Sequence, residues 1–203
     1  IALDCGIKSI DHVAYANEKN IDFIIGDHHR PGEFLPDAVA VLDPKRTDCD
    51  YPYDELCGCG IGFKLIQALG QNRGETIDDL LPYLDLVATA IAADIVPMTG
   101  ENRILAKFGL EVINKNPRPG IKALVHQVKK KTLDITDVVF IVAPRINAAG
   151  RIKHGNHAVE LLTEFNFEQA QQFASEIEKY NADRKALDKQ ITIEALQQII
   201  DNN

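Results

Sequence analysis

Two short apolar runs, Ile1-Ala2-Leu3 and Ile21-Asp22-Phe23-Ile24-Ile25, flank a stretch of helical character, and each leads into acidic residues. The first gives way to Asp4-Cys5-Gly6 and the second, after Gly26, to Asp27-His28-His29. Between them Ser9 is placed to cap a helix that turns Ile10, Val13, Ala14 and Ala16 inward, and Asn20 is placed to end it. Strand, helix and strand joined by links this short form a βαβ unit, so the strands are predicted to be parallel neighbours with a right-handed crossover. Parallel strands finish on one rim, where open α/β sheets build their sites. Asp4 is thereby brought toward Asp27, His28 and His29. Polar residues after an apolar run often only begin a solvated loop, here with Pro31-Gly32 as its turn. The cluster gains chemical meaning only if other segments deliver complementary groups to the same rim.

A third strand is predicted over residues 38–42, followed by an Asp, Pro and Tyr-rich loop over 43–54, and from there the pattern is helical. Helices are expected over 60–69, 83–93, 102–114, 119–131 and 155–163; the one over 83–93 is apolar nearly all round and should be buried. Lys129, Lys130 and Lys131 suit the C-terminal end of the helix over 119–131. From Asn166, which with Gln169 resembles a capping box, a helical period runs through Ala170, Phe173, Ala174, Ile177, Tyr180, Leu187, Ile191, Ala195 and Ile199. Such a helix spans about 50 Å at roughly 1.5 Å per residue, too long for one domain, and is expected to lead into another. The fold class is therefore α/β: a parallel sheet with flanking helices over residues 1–165, then a long connector helix over 166–203.

The 203 residues, 45% hydrophobic and 26% charged, can bury a substantial core. No apolar stretch approaches the roughly 20 residues of a membrane span, and the sequence reads as soluble and cytoplasmic. The chain opens inside an apparent strand without an initiator Met, which implies a segment upstream. A net charge of -8 argues against a surface that is basic throughout, while leaving room for a local positive groove. Four cysteines are too few for a disulfide scaffold, and Cys57-Gly58-Cys59 is spaced too closely for a usual structural zinc site.

Asp94, in the segment Ile91-Ala92-Ala93-Asp94-Ile95-Val96-Pro97, interrupts an apolar helical run. Burying an isolated carboxylate costs several kcal/mol unless it is paired or metal-bound, so Asp94 asks for a partner; a helix-end hydrogen bond is the plain alternative. Carboxylates mixed with imidazole suit Mn²⁺ or Mg²⁺ better than thiolate sets do. Two such ions sharing a carboxylate could activate water for phosphoester hydrolysis, and three visible ligands are few for two ions. Near the C-terminal end, Arg145, Asn147, Arg151, Lys153 and His154 lie among Ala148, Ala149 and Gly150, a loop-like stretch where guanidinium groups could meet phosphate oxygens.

Asp4-Cys5-Gly6, then Asp27-His28-His29, then Ala93-Asp94 with Val96-Pro97, resembles the ordered motif set of the DHH phosphoesterase superfamily. Within it, the segment over 144–151, together with 42–52 and 119–124, is similar to the RecJ single-strand-specific exonucleases. The resemblance implies Asp4, His28 and Asp94 as metal ligands, His29 at the metal site or scissile phosphate, and Asp27 as the orienter of a histidine. It implies contacts from Arg145, Asn147 and Arg151 to the substrate backbone, and hydrolysis of single-stranded DNA from the 5′ end with two Mn²⁺ or Mg²⁺ ions in repair and recombination. A helicase or single-strand-binding protein is the implied partner. The family also carries an upstream Asp-x-Asp motif and a DHH-associated domain that are not in these 203 residues, so this piece by itself is expected to bind Mn²⁺ weakly and hydrolyse little. Two other readings stand: a phosphodiesterase of short oligoribonucleotides or cyclic dinucleotides, and a non-catalytic relative that binds single-stranded DNA or a replication partner.

Overall fold

The computed structural model describes residues 1–126, 128, 130–152 and 155–201, with the side chains of Arg151 and Ile152 outside the described set. The chain folds as two units, Ile1–Lys115 and Asn116–Asn203.

The first unit is built on three short parallel strands, β1 (Ala2–Leu3), β2 (Ile24–Gly26) and β3 (Ala40–Leu42), in the order β1-β2-β3. Ala2 is level with Ile25, and Gly26 is level with both Leu3 and Leu42. The parallel pairing is as the sequence predicts, but the strands are shorter. The Ile21 amide donates to the Ala16 carbonyl, so Ile21 still belongs to the turn after the helix, and the Ala38 amide donates to Pro36 within a turn of its own. Helix α1 (Ile10–Glu18) crosses between β1 and β2 and is ended by Asn20 at φ 55°, a residue that tolerates the left-handed region. Only Val13 and Ala16 are buried; Ile10 and Ala14 are exposed, contrary to expectation, because three strands this short offer a two-turn helix a narrow seat. Ser9 occupies the N-cap but makes no side-chain cap bond.

Helix α2 (Gly58–Asn72) is capped by Cys57, whose Sγ accepts from the Gly60 amide. It lies close over the sheet: a β-carbon at Gly26 would meet Leu3 at 2.8 Å and Ile61 at 3.3 Å. The short α3 (Ile77–Leu80) and a 3₁₀ turn (Leu81–Tyr83) lead into α4 (Leu84–Asp94), whose Leu84, Val87, Ala88, Ile91 and Ala92 are buried as its apolar character predicts. Ile95 ends α4 at φ 58° and ψ 35°, and the chain returns as α5 (Gly100–Lys115). Asn102, buried in α5, donates to the carbonyls of Glu55 and Pro97 and so ties the end of α4 to the segment before α2. The α4–α5 crossing is tightest at Gly109, where a β-carbon would run into the Leu84 carbonyl oxygen and lie 2.5 Å from the Ala88 β-carbon. Gly109→Ala is expected to destabilise the protein by about 1–3 kcal/mol through overpacking, read as a lower urea midpoint at unchanged slope.

The second unit is helical. It contains α6 (Pro119–Val125), α7 (Ile135–Asp137), a π-helical turn (Val138–Val142), α8 (Ala143–Ile152), α9 (Asn156–Thr163) and α10 (Phe167–Asp201). Its core brings together Ile121, Leu124, Val138, Val142, Leu161 and Ile177. Helix α6 stops short of the lysine triplet. Lys130 instead pairs with Asp134 and Asp137 at 2.9 and 2.5 Å, and Lys129 lies outside the described residues. The stretch read as a loop over 143–155 is α8 through residue 152. Pro144, which an ordinary helix interior would not accept, is the second residue of α8, separated by Ala143 alone from a π turn whose wider bonding accommodates a missing amide donor. Helix α10 begins with the Gln169 amide bonded to Asn166 Oδ1 at 3.0 Å, half of the expected box; the Asn166 amide goes to Glu164 instead. Ala170, Ala174, Ile177 and Asn181 are buried, whereas Leu187, Ile191 and Ile199 farther along are exposed.

Candidate metal centre

All three strands end on an aspartate: Asp4 after β1, Asp27 after β2 and Asp43 after β3. Because the strands are parallel and in register, these carboxylates share one edge of the sheet. They differ in what each one does there.

Asp27 is buried and faces inward. Its Oδ2 accepts from the Ile7 amide at 2.9 Å, and its Oδ1 accepts from the His28 amide at 2.8 Å, the His29 amide at 3.3 Å and the His29 ring Nδ1 at 2.7 Å. Burial by itself pushes this carboxyl up, but the Ile7 amide, the His29 ring and the two following amides more than offset it and hold the pKa below the usual carboxylate range. The same contact, foremost, raises the His29 pKa against the effect of burial. Asp27 thus fixes the turn and the His29 ring, and with Nδ1–H donated to Asp27 the His29 Nε2 is the atom left for a ligand.

Asp4 has the left-handed φ of 65°, uncommon for a residue with a side chain and a form of strain found at functional sites. Its amide donates to the Gly26 carbonyl at 2.8 Å, and its carboxylate reaches His28, with Oδ1 at 3.0 Å from Nε2. From the other side comes Asp94, the last residue of α4, whose Oδ2 lies 3.4 Å from the same nitrogen. Ile95, directly after it, also has a left-handed backbone, although a β-branched residue is least suited to it. Asp4, His28 and His29 offer ligand atoms that all lie within 4.8 Å of one another. Asp94 lies outside that group of three and joins it through His28, so the first unit gathers Asp4, Asp27, His28, His29 and Asp94 in one neighbourhood, with Asp4, His28 and His29 nearest one another.

His28 is 6% exposed, and neither ring nitrogen makes a hydrogen bond of acceptable geometry, although Nε2 sits between two carboxylates. Buried polar atoms are seldom left so. An imidazole nitrogen facing two carboxylates without bonding to either is the arrangement a shared divalent cation would satisfy, and oxygen with nitrogen donors match Mn²⁺ and Mg²⁺.

Sequence reasoning missed Asp43, read only as the start of a loop. It is 3% exposed, accepts from the Lys45 amide at 2.8 Å through Oδ1, and leaves Oδ2 buried and unbonded. Burial raises its pKa against the Lys45 amide, with the Asp27 charge adding to the effect. The signal was present in the sequence: Asp43 follows the third apolar run as Asp4 and Asp27 follow the others. Beyond His29, a cleft of about 680 Å³ is lined by Arg30, Lys45, Arg46, Thr47 and Asp54, with Arg46 forked onto Asp48 at 2.9 and 2.6 Å.

The other candidates lie on α8 in the second unit. Arg145 is committed locally: Nε donates to Glu178 at 2.5 Å and Nη1 to the Ile141 carbonyl at 2.6 Å. Asn147 is exposed. Arg151 belongs to α8, but its side chain lies outside the described residues, as do Lys153 and His154 altogether.

Residues 1–91 match the model of the DHH family, N-terminal domain. The chain is 40% identical over 204 aligned residues to the single-stranded-DNA-specific exonuclease RecJ of Bacillus subtilis (strain 168), covering 98% of this chain and 25% of that protein. Among solved structures it is similar to RecJ in complex with Mn²⁺ from Thermus thermophilus, with a TM-score of 0.87 and 32% identity over 97% of this chain and 29% of the other. It is also similar to an exonuclease RecJ bound to manganese, with a TM-score of 0.88 and 33% identity over 97% of this chain and 49% of that one. The chain thus spans between a quarter and a half of the length of these relatives.

Proposed function

We propose, on the premise that residues 1–91 belong to the DHH family, that this chain supplies part of the metal centre of a nuclease that hydrolyses single-stranded DNA. The observation that carries the reading is the convergence of Asp4 and Asp94 on the buried, otherwise unbonded Nε2 of His28. Asp4, His28 and Asp94 would hold divalent cation, Mn²⁺ or Mg²⁺, with His29 beside them to meet metal or scissile phosphate. Cations bound there would neutralise phosphodiester charge and activate water. The chain's own residues do the rest. Asp27 holds His29 in one tautomer with its Nε2 available, and the packed end of α4 delivers Asp94. Arg30, in the adjoining cleft, offers a guanidinium to the phosphates that follow.

Attack from the 5′ end, a role in repair and recombination, a cytoplasmic location and a helicase or single-strand-binding partner belong to the same reading. So do backbone contacts from Asn147 and Arg151, and a connecting role for α10 toward a further domain. Arg145 can join them only by leaving Glu178. Among the described residues no helix is long and apolar enough to cross a membrane.

The test is to incubate the full-length protein with Mn²⁺ and three substrates: a long single-stranded DNA labelled at its 5′ end, the matching duplex, and a dinucleotide. Rapid release of the 5′ label as mononucleotide from the single strand alone is expected. Preference for the dinucleotide would move the reading to the short-oligonucleotide phosphodiesterases. Binding without hydrolysis would move it to a non-catalytic relative.

A further inference from the structure

Helix α2 opens on a glycine at the point where it meets Asp4. A β-carbon built on Gly58 would lie 2.6 Å from the Asp4 Cβ and 2.7 Å from its Cγ, and would run into Oδ1. Gly58 is buried at the first position of α2. Its backbone is helical, so the conformational freedom of glycine is not what the position needs, and glycine is a poor helix former. The reason for its presence lies in the neighbour. The Asp4 backbone has little room to yield, being left-handed at φ 65° with its amide bonded to Gly26, so what gives way is the carboxylate, 63% exposed and facing His28 at 3.0 Å.

We propose that Gly58 is a positioning residue of the metal centre, its missing side chain leaving the space in which the Asp4 carboxylate rests against the first turn of α2 and faces His28. The positive end of the helix favours a carboxylate there, and Cys57 holds that end in place through Gly60. Any larger residue at position 58 turns the Asp4 carboxylate away from His28 or lifts α2 off the sheet. The inference rests on the reading of Asp4 as a metal ligand.

The experiment compares Gly58→Ala, Asp4→Asn, Asp4→Gly and the pair Asp4→Gly with Gly58→Ala in the full-length protein. Mn²⁺ affinity is measured by calorimetry, and the Mn²⁺ electron paramagnetic resonance spectrum of the bound ion is recorded. Gly58→Ala is expected to weaken Mn²⁺ binding by about 10- to 100-fold, as loss of a group that orients a ligand does, and to alter the spectrum while helix content is retained. In the Asp4→Gly background, where the clash is gone, the same change is expected to cost no further affinity. Unchanged Mn²⁺ affinity in Gly58→Ala would overturn the proposal and leave Asp4 as a ligand. Unchanged affinity in Asp4→Asn would instead overturn the reading of the site. Should Gly58→Ala fail to fold, recovery of folding in the paired variant supports the contact, and continued failure there overturns it.

Discussion

Replacing Asp94 by alanine in the full-length protein is expected to lower hydrolysis of single-stranded DNA by about a thousandfold or more. The figure corresponds to about 4 kcal/mol of lost transition-state stabilisation, within the several kcal/mol that a correctly held cation contributes. Asp94 is singled out because it reaches the centre from a different element than the other ligands. Asp4, His28 and His29 belong to strand ends that pair through backbone bonds, whereas Asp94 is delivered by the last residue of α4, with its Oδ2 3.4 Å from His28 Nε2. Its removal leaves the sheet and the DHH turn intact and takes away one donor. Stability should therefore change little: the Asp94 side chain is 41% exposed, and Ile95, Pro97 and Asn102 fix the end of the helix without it. The measurement is kcat against DNA together with Mn²⁺ affinity and the urea midpoint. Loss of kcat with a lowered Mn²⁺ affinity and an unchanged midpoint is the expected set. Normal kcat would show that Asp94 plays no part in the chemistry, and loss of kcat that tracks a collapsed midpoint would make it a structural residue.

What the sequence makes legible is whatever local pattern controls. The parallel βαβ arrangement follows from two apolar runs and an intervening helix, and it places Asp4 next to the DHH turn. Asp94 is legible as a carboxylate that interrupts an apolar helical run, although the burial assumed for it does not occur: its side chain is 41% exposed, and Ala93 and Ile95 on either side are exposed, because α4 ends there at the surface. The misreadings have tertiary causes. Strand β2 starts at Ile24 rather than Ile21 because the Ile21 amide is taken by Ala16, a competition that periodicity does not register. Residues 143–152 have the character of a loop because Pro144 and Gly150 usually break helices, and only a π turn ahead of the proline lets the helix run on. Gly58 is invisible in the sequence because it matters by what it lacks, and the need for that space exists only once α2 lies against β1. Asp43 carries a signal, its place directly after the third apolar run, but that place marks a loop start equally well until the register of β2 and β3 sets it beside Asp27.

Asp27 offers the largest separation between two chemically similar substitutions. Its carboxylate receives three backbone amides and the His29 ring, with Oδ1 and Oδ2 both acting only as acceptors. Asp27→Ala removes the acceptor and strands those donors in a buried place, at about 1–3 kcal/mol for each buried group left unsatisfied, so a total loss of about 3 kcal/mol or more is expected. Against a typical total of about 5–15 kcal/mol, that is a large share of the stability. Asp27→Asn keeps the shape but turns an NH₂ toward donors at one of the two positions, and whichever way the amide is oriented some bonds become repulsive. It should fall between wild type and alanine in urea midpoint while losing the orientation of His29. The pH dependence follows from the same contacts. The folded-state pKa of Asp27 is held below its ordinary 3.8, so its contribution is fully present above that value and is lost as pH falls through the lower folded pKa. The pKa of His29 is raised above 6.5, so the part of the pairing that needs a protonated ring is present below 6.5 and fades as pH rises through the folded value. In metal-free protein the Asp27–His29 pair is therefore complete between roughly pH 4 and 6.5, and the stability gap between wild type and Asp27→Ala should be widest there. Urea midpoints of both proteins across pH 3–9, measured in chelator, check this. A gap that narrows only at the acid end and stays constant from about pH 5 to 9 would show that the backbone amides alone account for Asp27.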